Sequence, residues 1–236
     1  MQLLALETST EYCSCALFLD GEVRERSVLA GQRHSELLLP MVAELMAGAG
    51  LPFSRLDAIA FGAGPGSFTG LRIACGAVQG LAFAHGLPVL PVVTLEALAQ
   101  ASGAPRVLAS LDARLGELYL AAYENAGPQQ WRVVHAPALL KTTELPALPG
   151  QWAGVGSGFG AHGAALAAHY GLASVDAQAY PLAGAIARLG AAAFARGEAV
   201  AADQAAPLYL RDKVALDVRE QAALRASRDR AVGAPT

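Results

Sequence analysis

The feature of this sequence that most constrains its fold is a stretch without formal charge between Arg72 and Glu96. Such a stretch must be kept from water, either inside a membrane or inside the core of a folded domain. Glycine and proline interrupt it, most strongly around Gly86, Pro88 and Pro91. Because these residues break regular structure, we predict a buried helix, a turn and a buried strand rather than a membrane segment.

The composition limits the class of protein. The chain has 236 residues, of which 54% are hydrophobic and 16% are charged, and this suits one large domain or two smaller ones. Its net charge of -3 gives no overall attraction to nucleic acid, so contact with RNA would need a local patch or a partner protein. Three cysteines form no disulfide framework, and the N-terminal segment lacks the basic region of a signal peptide. We therefore predict a cytoplasmic protein.

Turn signals and apolar patterns divide the chain into two α/β units that each begin with strands. We predict a first domain at residues 1–104, a second at 105–215 and a frayed tail at 216–236. The sequence leaves open whether the C-terminal part of the second range packs back on the first domain. Strands are predicted at 2–7, 12–19, 22–28, 57–62, 89–93, 107–111, 118–123 and 131–135, a proline-punctuated connection at 137–149, and helices at 35–49, 70–84, 94–101, 159–169 and 182–196.

A glycine-rich loop, Phe61–Ala74, joins a predicted strand to a predicted helix. Its spacing does not match a P-loop, and Ser67 lacks the glycine two positions earlier that a nucleophile elbow needs. Two interpretations remain: the glycines allow tight packing, or the helix N-terminus holds an anion. A second cluster, Gly154–Gly160, misses the dinucleotide-binding pattern because Phe159 stands in place of its last glycine.

Residues that could carry catalysis are scattered along the chain. The five histidines have no spacing typical of a metal-binding pair, so we predict no metal site. The carboxylates of Glu7, Asp57, Asp112 and Glu117 could act as acids or bases, but the sequence does not show that any two converge. We therefore predict no catalytic residue.

The two long helices of the first half, at 35–49 and 70–84, are apolar around most of their circumference. A helix of this kind is buried on two sides. One side can lie on the sheet of its own domain, while the other needs a partner protein or the second domain of the same chain. We prefer a partner protein.

Five segments together resemble the TsaB (YeaZ) family: "LLALETSTEYCSCAL", "HSELLLPMVAEL", "GAGPGSFTGLRIA", "LDARLGELY" and "PLYLR". The resemblance runs from Leu3 to Arg211, and GPGSFTGLR is specific to this group. It implies an actin-like (ASKHA) fold of two similar α/β domains with mixed sheets. It also implies a non-catalytic subunit required for threonylcarbamoyl transfer to N6 of the adenosine beside the anticodon, in tRNAs that read codons beginning with A.

The resemblance also implies partners, namely a catalytic paralogue of the TsaD type and an ATPase of the TsaE type. A homodimer is expected when the paralogue is absent, and tRNA is contacted indirectly through the complex. In this family the helices of the first domain pack against the equivalent pair in TsaD. We therefore expect the partner interface at Leu38, Met41, Val42, Leu45, Leu71, Ala74, Cys75 and Val78.

Comparison with TsaD motifs argues against independent catalysis. TsaD carries an H-x-x-x-H metal-binding pair, whereas the matching segment here, Val92–Ala97, has no histidine. Its S-G-G-H-T phosphate turn is replaced by Ser110–Arg114, where Asp112 adds a negative charge. A metal-dependent peptidase and a small ATP-dependent kinase of the same fold are the alternatives. We expect that no cofactor is required. Weak nucleotide binding is possible, and the residues expected for it are Thr8, Ser9, Thr10, Gly64, Gly66 and Ser67.

Overall fold

The computed structural model describes residues 1–211, so the predicted tail at 216–236 and residues 212–215 lie outside the described residues. The first half of the chain forms a mixed sheet of five strands: β1 (Gln2–Glu7), β2 (Tyr12–Leu19), β3 (Glu22–Leu29), β4 (Ala58–Gly64) and β5 (Val89–Val93). Their order in the sheet is β3-β2-β1-β4-β5. The β1–β2 and β2–β3 pairs are antiparallel, while β4 and β5 extend the sheet in parallel.

Two helices, α1 (His34–Gly48) and α2 (Phe68–His85), cover one face of this first sheet. In β1, β2 and β4 the side chains on both faces of the strand are mostly apolar, as expected for a sheet that is buried on two sides. Leu4 and Leu6 point to α1 and α2, whereas Leu3 and Ala5 point to the opposite face. Helix α3 (Thr94–Ser102) follows β5 and lies between the first sheet and the second half of the chain.

The second half repeats this topology. Its strands are β6 (Arg106–Arg114), β7 (Glu117–Gly127), β8 (Gln130–Lys141), β9 (Gln151–Val155) and β10 (Gly171–Asp176). They form a sheet in the order β8-β7-β6-β9-β10, again with two antiparallel pairs followed by two parallel ones. Helix α4 (Ser157–His169) packs on one face and α3 on the other. The prediction of two similar α/β domains with mixed sheets is confirmed.

The sequence-based prediction was wrong between β8 and α4. Strand β8 continues through Pro137 to Lys141, where a connection had been expected. On β7, Ala122 pairs with His135 and Leu120 pairs with Ala138, so the register of β8 shifts between these two pairs. Pro137 lies in the resulting β-bulge, where the backbone N–H that proline lacks is not required for strand pairing. Strands β9 and β10 were not predicted. Strand β10 is an exposed edge strand, so burial imposes no alternating pattern on it.

The last helix, α5 (Ala183–Ala195), returns to the uncovered face of the first sheet. Its N-terminus is held by side chains of that sheet, because Ala183 N donates to Ser14 Oγ over 2.9 Å and Gly184 N donates to Glu25 Oε1 over 3.2 Å. These acceptors satisfy two of the amide groups that a helix leaves free at its N-terminus. The first sheet therefore lies between α1 and α2 on one face and α5 on the other.

Replacing Ser14 by alanine should lower the free energy of unfolding by about 1–2 kcal/mol, because the buried amide of Ala183 loses its acceptor. Urea unfolding of the full chain measures this change. Ser27→Ala is the matched control, since Ser27 lies opposite Ser14 on β3 but is exposed. Equal stability of the two variants would contradict the capping role.

A segment that we call the strap, residues 205–211, crosses from the first sheet to the second. Ala205 O accepts from Gln79 Nε2 over 2.9 Å, and Leu208 N donates to Ala63 O over 2.7 Å. At its far end Arg211 Nη2 donates to Ala113 O over 2.9 Å and to Glu117 Oε2 over 2.6 Å. The strap thus ties the end of β4 to the β6–β7 hairpin.

Candidate functional site

The glycine loop and the β1–β2 turn meet at the carboxyl end of the first sheet. Ser67 N donates to Ser9 O over 2.7 Å, and Thr8 Oγ1 donates to Gly70 O over 2.8 Å. Gly64 N donates to Thr94 Oγ1 over 3.1 Å. The structure therefore brings the predicted nucleotide-binding residues together, but several of their polar groups are bonded to one another.

Close packing accounts for two glycines of this loop. A Cβ atom on Gly66 would lie 2.6 Å from both Cβ and O of Ser9. A Cβ atom on Gly70 would overlap the carbonyl oxygen of Thr8. Backbone atoms cannot move aside without disturbing the turn, so these positions exclude any side chain. The geometry favours the tight-packing interpretation of the loop, and anion binding stays a prediction.

Glu7 lies beneath the loop and is buried. Ser9 N donates to its Oε1 atom, while Oε2 has no hydrogen-bond partner among residues 1–211. Space for this carboxylate depends on Gly62, since a Cβ there would overlap Oε2. Burial raises the pKa of Glu7 to about 7, although the hydrogen bonds from Ser9 and Thr8 act in the opposite direction. Glu7 is thus a buried group that changes charge near neutral pH.

A cleft of about 1080 Å³ separates the two domains above this loop. The β1–β2 turn, the N-terminus of α2, the β6–β7 hairpin and the strap line it. Arg114 Nη2 of the hairpin lies 3.6 Å from Glu11 Oε1 of the turn, and this ion pair links the two domains across the cleft. Because both side chains are largely exposed, the pair adds little stability.

The corresponding turn of the second domain is centred on Asp112. Its backbone N donates to Ser157 Oγ over 3.1 Å, and its Oδ1 lies 3.7 Å from His162 Nε2. Ser157 and His162 therefore both approach Asp112 rather than each other, which is not the arrangement of a nucleophile and its base. The second glycine cluster, Gly154–Gly160, packs against β6 next to this turn, because a Cβ on Gly158 would overlap the buried Ser110 side chain.

The four carboxylates named from the sequence do not converge. Glu7 is buried under the glycine loop, and Asp57 Oδ2 accepts from Gln2 N at the opposite end of β1. Asp112 faces Arg114, while Glu117 is paired with Arg211. Within residues 1–211 there is no group of three or more His, Cys, Asp or Glu side chains placed to hold a metal ion.

The predicted partner interface needs a correction, because most of its residues face inward. Most of their side chains pack in the core between the helices α1 and α2 and the first sheet. Residues buried in the folded chain cannot form a contact surface. Met41 is half-buried. The other seven residues are buried: Leu38, Val42, Leu45, Leu71, Ala74, Cys75 and Val78.

The outward face of α1 and α2, which we call the α1/α2 face, consists of other residues. Phe83 is 85% exposed and Leu39 is 50% exposed. Apart from adjacent residues and the backbone of α2 itself, no atom in the described part of the chain lies within 4 Å of a Cβ built on Gly76 or Gly80, so the centre of α2 is open. The sequence indicated that the small residues of α2, Gly76 and Gly80 among them, allow close approach of another backbone, but the predicted interface residues did not include them.

No helix within residues 1–211 is long and apolar enough to cross a membrane. The charge-free stretch after Arg72 is instead divided between α2, β5 and the start of α3.

The fold and its cleft define an actin-like protein built from two similar α/β domains. A family model described as TsaD, tRNA N6-adenosine threonylcarbamoyltransferase, matches residues 28–217. The match covers most of both domains, and it relates this chain to a family of enzymes that modify tRNA.

Individual relatives narrow this relationship. The tRNA threonylcarbamoyladenosine biosynthesis protein TsaB of Escherichia coli is 39% identical over 91% of this chain and 96% of its own length. The TsaB protein of Haemophilus influenzae is 49% identical over 50% of this chain and 52% of its own length. The chain therefore belongs to the TsaB (YeaZ) branch of this family.

Solved structures agree with this assignment. YeaZ from Pseudomonas aeruginosa superposes with a TM-score of 0.81 at 43% identity, over 89% of this chain and 99% of that one. A second Pseudomonas aeruginosa structure, with a TM-score of 0.81 and 42% identity over the same shares, is described as an uncharacterized protein with similarity to peptidase YEAZ.

Proposed function

We propose that this protein is a non-catalytic subunit of the machinery that transfers threonylcarbamoyl to N6 of the adenosine beside the anticodon. It would act with a TsaD-type catalytic subunit and a TsaE-type ATPase. The observation that carries the proposal is the match to the Escherichia coli TsaB protein over 96% of that protein's length, since its name places it in threonylcarbamoyladenosine biosynthesis.

The geometry supports a non-catalytic role. Thr94, in the segment where TsaD is expected to hold its metal-binding histidines, is buried and accepts a hydrogen bond from Gly64 N. At the second-domain turn, Asp112 presents a carboxylate to the cleft, which repels a phosphate. Within residues 1–211 the cleft therefore has no cluster of metal ligands, and a carboxylate lies where TsaD is expected to bind a phosphate.

The α1/α2 face is our proposed contact surface for the TsaD-type subunit. The TsaD family model matches this chain, so the two subunits would share a fold and could place equivalent helix pairs against each other. Exposed glycines at Gly76 and Gly80 let a partner helix approach closely, and Phe83 supplies an exposed aromatic group. Without the partner, two copies of this chain would pair through the same face.

Reconstitution tests the function directly. The purified protein should form no threonylcarbamoyladenosine when given tRNA and threonylcarbamoyl-adenylate alone. Modified nucleoside should appear, by mass spectrometry of digested tRNA, only when the TsaD-type and TsaE-type proteins are added. Product formation by the lone protein would refute the non-catalytic role, while full activity of the other proteins without it would refute the requirement.

A bulky charge on the α1/α2 face should abolish partner binding without unfolding the protein. Gly80→Arg places its side chain in open space, so stability should be retained while affinity for the TsaD-type subunit falls about 100-fold or more. Co-purification and calorimetry measure the loss. Ala167→Arg, on the exposed side of α4, is the control. Unchanged binding by Gly80→Arg would contradict the proposed face.

We also propose that no cofactor is required and that nucleotide binds weakly, because the hairpin and loop groups are largely satisfied by one another. Calorimetric titration with ATP and magnesium should give no dissociation constant below about 10 μM, roughly -7 kcal/mol. Tighter binding would favour an ATP-dependent kinase instead.

A further inference from the structure

An arginine near the start of α2 is stacked on one aromatic ring and lies close to a second. Arg72 Cζ is 3.4 Å from the ring centre of Phe68 and 5.5 Å from that of Tyr209. The two rings are 5.5 Å apart, and Tyr209 comes from the strap. Stacking holds the guanidinium plane in one orientation while its N–H donors stay available at the edge of that plane.

The charge of Arg72 has no acidic partner in the described part of the chain. Among residues 1–211 no carboxylate lies within 4 Å of Arg72. The acids of the neighbouring helix α1 are already paired, Glu36 with Arg33 and Glu44 with Arg26. Arg72 thus leaves the described part of this surface with an uncompensated positive charge.

The surroundings of Arg72 indicate which kind of partner compensates it. Arg72, Gly76 and Gly80 follow one another at four-residue spacing, so the guanidinium lies at one end of the open strip on the α1/α2 face. A surface for RNA would need several cations along a path, whereas this strip is apolar and the chain has a net charge of -3. A protein carboxylate fits one planar, pre-oriented fork better.

We propose that Arg72 binds a carboxylate of the TsaD-type subunit as the polar anchor of the interface, an inference that rests on the proposed function. The apolar strip supplies close packing, and the ion pair sets the register of the two helix pairs. Arginine is one of the residues that most often contribute a large share of the binding energy of an interface. The strap takes part indirectly, since Tyr209 helps to hold the guanidinium.

Calorimetry with the full chain and the TsaD-type subunit tests this anchor. Arg72→Ala should weaken binding about 30-fold or more, and Arg72→Lys should recover only part of the loss because it lacks the planar fork. Arg188→Ala, on the exposed side of α5 behind the first sheet, is the matched control and should bind normally. Equal affinity of Arg72→Ala and Arg188→Ala would overturn the anchor.

A double-mutant cycle identifies the partner group. Each carboxylate on the contact face of the TsaD-type subunit is changed to its amide, and one of them should show coupling to Arg72→Ala while the others do not. No coupling at any of them would overturn the proposal. It would also be overturned if Arg72→Ala left the affinity of the heterodimer unchanged but reduced tRNA binding by the complex. If Gly80→Arg abolishes binding while Arg72→Ala does not, the anchor fails and the proposed face stands.

Discussion

Replacing Gly70 by alanine should destabilise the protein by about 3 kcal/mol or more, although alanine usually favours a helix. The added Cβ would overlap the carbonyl oxygen of Thr8, which belongs to the β1–β2 turn and cannot move independently. The same change would separate Thr8 Oγ1 from Gly70 O, which are hydrogen-bonded over 2.8 Å. Loss of this contact would detach the start of α2 from the first sheet.

Urea unfolding followed by circular dichroism measures the effect. Gly76→Ala is the matched control, because Gly76 lies on the same helix but faces open space. It should raise the free energy of unfolding by about 1 kcal/mol through helix propensity alone. If Gly70→Ala were as stable as Gly76→Ala, the tight-packing interpretation of the glycine loop would be wrong.

Glu7 should make the stability of this protein fall as the pH rises from about 4.5 to about 7. Its pKa is raised from 4.5 to about 7 by burial, so the folded state holds a proton that the unfolded state releases earlier. The contribution of Glu7 is therefore most favourable below the unfolded pKa and is lost progressively up to the folded one. The shift corresponds to about 3 kcal/mol.

Glu7→Gln should remove this pH dependence, since the amide keeps an acceptor for Ser9 N and carries no charge. The difference between the unfolding free energies at pH 5 and pH 8 should be about 3 kcal/mol smaller in the variant than in the native protein. Glu22→Gln, at an exposed position on β3, should retain the native dependence. An unchanged difference in Glu7→Gln would show that the carboxylate is not buried as described.

Most of the first domain was predictable because its signals are local. Turn residues such as Asp20 and Gly21 separate apolar strands, and Gly86 ends α2 in the left-handed conformation that favours glycine. The predicted order of strands and helices up to Ser102 is confirmed. Strands β9 and β10 escaped prediction because their pairing partners, rather than their own composition, stabilise them.

The candidate site was predictable in part. The turn around Ser9 and the loop around Ser67 were named from the sequence, and the structure places them in contact. That their polar groups bond to one another could not be predicted, because each hydrogen bond joins residues far apart in the chain. For the same reason the contact of Arg72 with Tyr209 depends on the fold, whereas Phe68 lies four residues from Arg72 on the same helix.

From the sequence alone it could be concluded that the stretch after Arg72 is divided into a helix, a turn and a strand, that the chain consists of two α/β units, and that its motifs resemble TsaB. The sequence could not determine which side of α2 faces outward. That helix has no polar face to orient it, so packing against the first sheet decides that Ala74 and Val78 point inward and that Gly76 and Gly80 point outward. The residues expected at the interface form the core, and the glycines between them form the open surface.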